Sequence, residues 1–284
     1  MATMRDIRRR IKTVRNIQQI TKAMQMVAAA RLQKAQSRAT ASRSYADQML
    51  SVIGHLSSVA GEVNHPLLEV REPKKIGIIV ITSDRGMAGS YNTAICRKML
   101  HSISEYDKSQ IKMITVGKKG RTFFTNQGYE IVAAYPMPSS DIDFADAKRI
   151  SRTATDLFIE AEVDVVRVAY TRFISAIRNE ITDTQLLPAA APEGGETGTE
   201  GYIFEPTPEV LLGDLLPRYV DTQIYRAMLE SLASEHGARM TAMKSATDNA
   251  VEMIDRLTLD LNRARQAAIT RELAEIVGGA DALK

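Results

Sequence analysis

The residues best placed to do chemistry lie in Ser83 to Asn92 (SDRGMAGSYN), where Gly86 and Gly89 follow an apolar run. Glycines there could let backbone N–H groups approach a phosphate at a helix N-terminus. The spacing matches neither G-x-G-x-x-G nor G-x-x-x-x-G-K-[ST], so the segment reads as a tight turn leaving a parallel strand. Val116 to Gly120 (VGKKG) is too short for a phosphate loop and reads as a helix start. His55, His65, His101 and His236 show no metal-ligand spacing and no Ser/His/Asp order. Asp141 and Asp143, in a serine-bearing loop, read as helix caps rather than a catalytic carboxylate pair. The lone Cys96 cannot close an internal disulfide and suits a reducing compartment. No catalytic residue, cofactor or metal is expected.

The 284 residues are 44% hydrophobic and 25% charged, with no apolar run of the roughly 18 residues a membrane span needs. Aromatics are only 5% and Trp is absent, which argues against a stacking platform for single-stranded nucleic acid. A net charge of +3 hides an asymmetry: Met1 to Arg43 holds eight Arg and three Lys against Asp6 alone. That first segment seeks acidic surroundings. Its basic start continues a helical pattern without a serine-rich stretch, so it reads as mature protein rather than a targeting peptide.

What must position these residues is a pair of long terminal helices around a middle of alternating elements. The first 53 residues contain no Gly and no Pro, and apolar residues fall at Ile7, Ile11, Val14, Ile17, Ile20, Met24 and Val27. The mean spacing is below 3.6, which predicts a drifting stripe and a left-handed supercoil with a partner. Toward the other end, Leu229, His236, Met243, Ala250, Leu257 and Ala264 recur every seven residues. Ala233, Met240, Thr247, Ile254, Leu261 and Ala268 each lie four places later. The small residues in this seam imply closely approached helices, with Gly278 and Gly279 as the stop. Between them, strands are expected at Ile76–Thr82, Ile111–Val116, Tyr129–Ala134, Val163–Tyr170 and Glu180–Leu187. Helices are expected at Tyr91–Ser104, Lys118–Gln127 and Phe144–Glu160, the alternation of an α/β parallel sheet. Pro188 to Gly201 reads as a linker. The residues alone also leave open a basic coiled-coil nucleic-acid-binding protein, or an α/β domain that binds a nucleotide as an enzyme.

Ile20–Arg31 (ITKAMQMVAAAR), Ser83–Gly89 (SDRGMAG), Tyr202–Pro206 (YIFEP), Glu235–Asn249 (EHGARMTAMKSATDN) and Asn262–Val277 (NRARQAAITRELAEIV) together closely resemble the gamma subunit of F-type ATP synthases. The resemblance spans the whole chain in order. It implies an antiparallel coiled coil of terminal helices, 1–60 and 207–284, around a central Rossmann-like α/β domain, 70–200. It also implies the role of a central rotor shaft that carries out no bond chemistry. Rotation of a c-ring, driven by protons, would turn the shaft and push the catalytic beta subunits through states of different nucleotide affinity.

The implied partners are a 3:3 ring of alpha and beta subunits, the epsilon subunit and the c-ring, with the delta subunit in the same complex and no nucleic acid. Membrane association is indirect, through the c-ring, at the cytoplasmic face of the bacterial inner membrane. The resemblance assigns Lys22, Met24, Arg239, Arg265, Gln266 and Thr270 to contacts between rotor and stator, and Tyr202 and Glu205 to the foot near the c-ring and epsilon. The chain departs from the family in having Ser90 after Gly89 where two glycines are common, and lacks the cysteine-bearing insert of chloroplast versions, so thiol regulation is not expected.

Overall fold

The computed structural model describes residues 3–60, 65–176, 178–189 and 207–281. Two helices frame the chain. Helix α1 runs Met4–Ala60, and helix α5 runs Pro208–Asp281 with Pro217 inside it. Between them come β1 (Ile76–Ile81), α2 (Tyr91–Ser102), β2 (Ile111–Val116), α3 (Lys118–Asn126), β3 (Glu130–Tyr135), α4 (Phe144–Ile159), β4 (Val165–Phe173) and β5 (Asn179–Leu187). Every element expected from the sequence is present, with ends moved by at most three residues. Helix α5 continues through Gly278 and Gly279, past the stop expected there. Glycine permits the left-handed turn that ends a helix but does not impose it.

By internal contacts the chain forms two compact parts, Ala28–Arg239 and a terminal part of Met1–Val27 with Met240–Lys284. In the first, the strands make one sheet in the order β3-β2-β1-β4-β5. β1 pairs parallel with β2 and β4, β2 pairs parallel with β3, and β4 pairs antiparallel with β5. Central β1 (IGIIVI) is buried at all six positions, as a strand covered on both faces must be. Ile78, Val80, Ile95, Met99, Ile103, Met113 and Phe124 form the core on one side, with Cys96 among them. Burial pushes the Cys96 thiol up to about 12, which disfavours the thiolate, and the side chain packs as a small apolar group.

The same part holds α1 to α5 by charge. Arg43 Nε lies 2.9 Å from Glu230 Oε1, and Arg226 reaches both that carboxylate, at 3.3 Å, and Asp47, at 3.1 Å. Stepping up α1 from Arg43 to Asp47 steps down α5 from Glu230 to Arg226, so the helices are antiparallel. Arg43 also donates to the Phe173 carbonyl, tying the pair to β4. Enclosed on several sides, α5 is buried at every position from Ala227 to Gly237.

In the terminal part the expected heptads of α5 hold. From Val251 to Arg271 only Ile254, Leu257, Leu261, Ala264 and Ala268 are shielded. The stripe expected on α1 requires correction. Ile7 and Ile11 are buried and Val14 half-buried, but Ile17, Ile20 and Val27 are exposed at 47%, 59% and 53%. The shielded row runs instead through Gln18, Thr21 and Gln25, keeping alternate steps of three and four, with Met24 half-buried at its edge. The successive threes from Val14 to Ile20 in the sequence lead off the seam onto a second, outward face. At the seam's centre the Thr21 and Thr247 hydroxyls meet at 2.8 Å.

Candidate functional site

In a doubly wound α/β sheet a ligand binds in the crevice at the carboxyl ends of the strands, where the strand order reverses. Here that point lies between β1 and β4, and α5 fills it. Two residues beyond the last β1–β4 pair, Val80–Ala169, the Thr171 N–H donates to Ser231 Oγ at 3.3 Å. Its carbonyl accepts from Ser234 Oγ at 3.0 Å. Tyr91, at the start of α2, donates to the Ser231 carbonyl at 3.2 Å. One turn on, α5 packs closely on the segment after β4: a Cβ at Gly237 would lie in van der Waals contact, 3.4 Å, with the Ala176 carbonyl oxygen.

The two glycine-bearing turns are likewise committed to the protein itself. At the start of α3 the Gly117, Lys118, Lys119 and Gly120 N–H groups donate to the Tyr135 carbonyl, Asp84 Oδ1, the Ser83 carbonyl and Thr82 Oγ1. These are the donors a phosphate would need. Gly117 is required for another reason: its φ is +98°, and a Cβ there would sit 2.4 Å from the Thr82 carbonyl oxygen. In the earlier turn, Ser83 N–H donates to Asn92 Oδ1 at 2.9 Å, and Ser83 Oγ donates to the Arg85 carbonyl at 2.6 Å. Asp143 caps α4 as expected, accepting from the Ala145 N–H, whereas Asp141 binds Lys34 and Arg38 of α1 at 2.8 and 3.0 Å. Among the described residues no group of three His, Cys, Asp or Glu could hold a metal ion.

Of the six residues assigned to rotor–stator contacts, Arg239 lies in the sheet-containing part, its side chain 11% exposed. It donates to Glu235 at 2.6 Å and to the Gly86 carbonyl at 3.2 Å. Burial raises the Glu235 carboxyl, and Arg239 opposes that rise. Beside them His236 is buried and pushed down to about 4, first by burial and then by the Arg239 and Arg31 charges. Lys22, Arg265, Gln266 and Thr270 belong to the terminal part and are exposed, while Met24 is half-buried. Thr270 Oγ1 donates back to the Gln266 carbonyl at 3.0 Å, leaving the methyl as its free surface. Tyr202 and Glu205 lie outside the described residues.

The structure adds residues that sequence reasoning placed wrongly or missed. Ile17, Ile20 and Val27 are exposed on the side of α1 that also carries Met24, while Lys22 lies on the other side of the shielded row. On α5, Ile269, Leu273 and Ile276 are 50%, 58% and 68% exposed, beyond Ala268, the last shielded position among the described residues. Among the described residues no helix is long and apolar enough to cross a membrane.

A Rossmann-like domain whose strand-end crevice is closed by the chain's own C-terminal helix, together with terminal helices that carry outward apolar side chains, defines a component of a larger assembly. A family model described as ATP synthase matches residues 3–283. The ATP synthase gamma chain of Heliobacterium modesticaldum is 49% identical with 100% of both chains covered, and that of Desulforamulus reducens 46% identical, also over 100% of both. A chain of the Tetrahymena thermophila mitochondrial ATP synthase central stalk and c-ring aligns with TM-score 0.61 and 25% identity, covering 80% of this chain and 99% of its own. One from the Euglena gracilis mitochondrial OSCP, F1 and c-ring assembly aligns with TM-score 0.71 at 17% identity, over 99% and 94%. The chain belongs to the ATP synthase gamma-chain family.

Proposed function

We propose that this chain is the central rotor shaft of a proton-translocating F-type ATP synthase, itself non-catalytic, coupling c-ring rotation to sequential change at the catalytic beta subunits. Full-length identity to bacterial gamma chains carries the reading. The crevice closed by Ser231, Ser234 and Tyr91 supports a shaft that leaves nucleotide chemistry to other subunits. Its partners are the 3:3 ring of alpha and beta subunits, epsilon and the c-ring, with delta in the same complex. It works at the cytoplasmic face of the bacterial inner membrane, held there through the c-ring.

The division of labour we assign is 1–60 and 207–284 as the coiled coil and 70–200 as the central domain. Lys22, Met24, Arg265, Gln266 and Thr270 meet the stator, and Arg239 reaches it from its nearly buried position. Tyr202 and Glu205 belong to the foot. The physical requirement is a surface that is gripped but also slides. Apolar Ile17, Ile20, Ile269 and Leu273 supply non-directional attraction, and Lys22 and Arg265 supply charge that can pass from one carboxylate to the next.

The test is purification of the tagged chain from its own membranes in mild detergent, with every co-purifying subunit identified and ATP hydrolysis assayed. Recovery with alpha, beta, epsilon and c subunits plus ATPase activity is the expected outcome. Recovery alone, or with nucleic acid, would overturn the reading.

A further inference from the structure

In the sheet-containing part a cavity of about 120 Å³ is lined by Arg31 of α1, Asp84 and Arg85 of the turn after β1, Met137 and Ser139 after β3, and Glu235 and Arg239 of α5. Three guanidiniums thus reach one space from three separate elements. The two carboxylates are already engaged: Asp84 Oδ1 accepts from the Lys118 and Met137 N–H groups at 2.9 and 3.3 Å, and Glu235 accepts from Arg239. Among the described residues Arg31 and Arg85 have no carboxylate within ion-pair distance. The lining therefore carries surplus positive charge. His236 lies beside it, its proton held off first by burial and then by the Arg239 and Arg31 charges.

We infer that this cavity is a binding site for a tetrahedral oxyanion of the inorganic phosphate class. Its volume is enough for one such ion and too small for a nucleotide. Guanidinium forks suit phosphate oxygens, and approach from several directions suits an ion with four of them better than a planar carboxylate with two. Arg31 and Arg85 supply the charge that binds. Arg239, fixed by Glu235 and the Gly86 carbonyl, is a positioning residue that shapes the wall. The site is distinct from the closed nucleotide crevice and does not depend on the rotor reading.

The test is equilibrium dialysis of the full-length chain with labelled inorganic phosphate. The site predicts one saturable binding event in the millimolar range or tighter, competed by sulfate and weakened by salt. R31Q/R85Q should lower affinity by roughly tenfold or more, and R31K/R85K, which keeps the charge but loses the fork, by less. Circular dichroism of each variant separates loss of the site from loss of the fold, since the lysine pair reads the site even where the glutamine pair does not fold. No saturable binding, or equal binding by wild type and both variants, overturns the assignment. Binding of a glutamate-bearing peptide but not phosphate also overturns it, giving the cavity to a protein carboxylate.

Discussion

Between Ala28 and Arg239 the helices α1 and α5 are joined through the charges of Arg43, Glu230, Arg226 and Asp47, beside buried small residues of α1 such as Ala35, Ala39 and Ala46, whereas in the terminal part the shielded rows hold no such ion pair among the described residues and centre on the Thr21–Thr247 hydroxyl pair. The first arrangement turns its functional groups inward. Glu230 is fully buried, Arg43 holds a β4 carbonyl, and serines of α5 complete the edge of β4. The second turns side chains outward, with Ile17 and Ile20 on α1 and Ile269 and Leu273 on α5. One pair of helices can therefore be anchored in a domain over part of its length and present a surface to other proteins over the rest. What differs is where each helix spends its polar and apolar side chains.

The contrast is broken first at its most costly point. Arg43→Ala removes the nearer partner of a fully buried carboxylate and should cost about 3 kcal/mol, as for a broken buried ion pair, with Arg226 limiting the loss. Urea unfolding of the full chain measures it, and a loss below about 1 kcal/mol would show that charge does not anchor this part.

A comparable effect is expected from pH in the same part. His236 titrates near 6.5 when unfolded and near 4 when folded, so between these values the unfolded chain binds the extra proton. Stability should fall as pH drops through this window, by up to about 3 kcal/mol at 1.36 kcal/mol per unit. Glu235, whose raised pKa favours the folded state at low pH, opposes it. His236→Gln isolates the histidine: its stability profile should lack this slope, and a profile parallel to wild type would contradict the assignment.

In the terminal part Leu257→Asp places a carboxylate on the half-buried seam, with an expected cost of about 2 kcal/mol. A thermal melt reads the change, and an unaltered melting point would remove Leu257 from the seam. The smallest effect on stability sharpens the comparison most. Ile17→Ser with Ile20→Ser should leave unfolding within about 0.5 kcal/mol of wild type, because both side chains already face solvent, yet weaken coupling of hydrolysis to rotation in the assembled complex. A large loss of stability would mean that these residues pack within the chain.

Most of the sheet was legible because its strands are covered on both faces and read as continuous apolar runs, as at Ile76–Ile81. The α5 heptads were legible because a strict period of seven survives Ala, Thr and Met at seam positions. On α1 the strongest apolar residues marked the wrong row. Hydrophobicity alone does not tell a seam from a surface kept for a partner, and Gln18, Thr21 and Gln25 occupy positions that apolar counting passes over. The closed crevice was not legible at all, since Ser231 and Ser234 show their purpose only beside Thr171. The spacing of Gly86 and Gly89 did exclude a phosphate loop, and the internal hydrogen bonds of both turns supply the reason.

The central claim is met most directly by attaching a bead to this chain in the complex, fixing the alpha and beta subunits to a surface, and supplying ATP. The account predicts unidirectional rotation of the bead, slowed or uncoupled in the Ile17 and Ile20 variant. Sustained ATP hydrolysis with the bead stationary, in complexes that retain the chain, would contradict it.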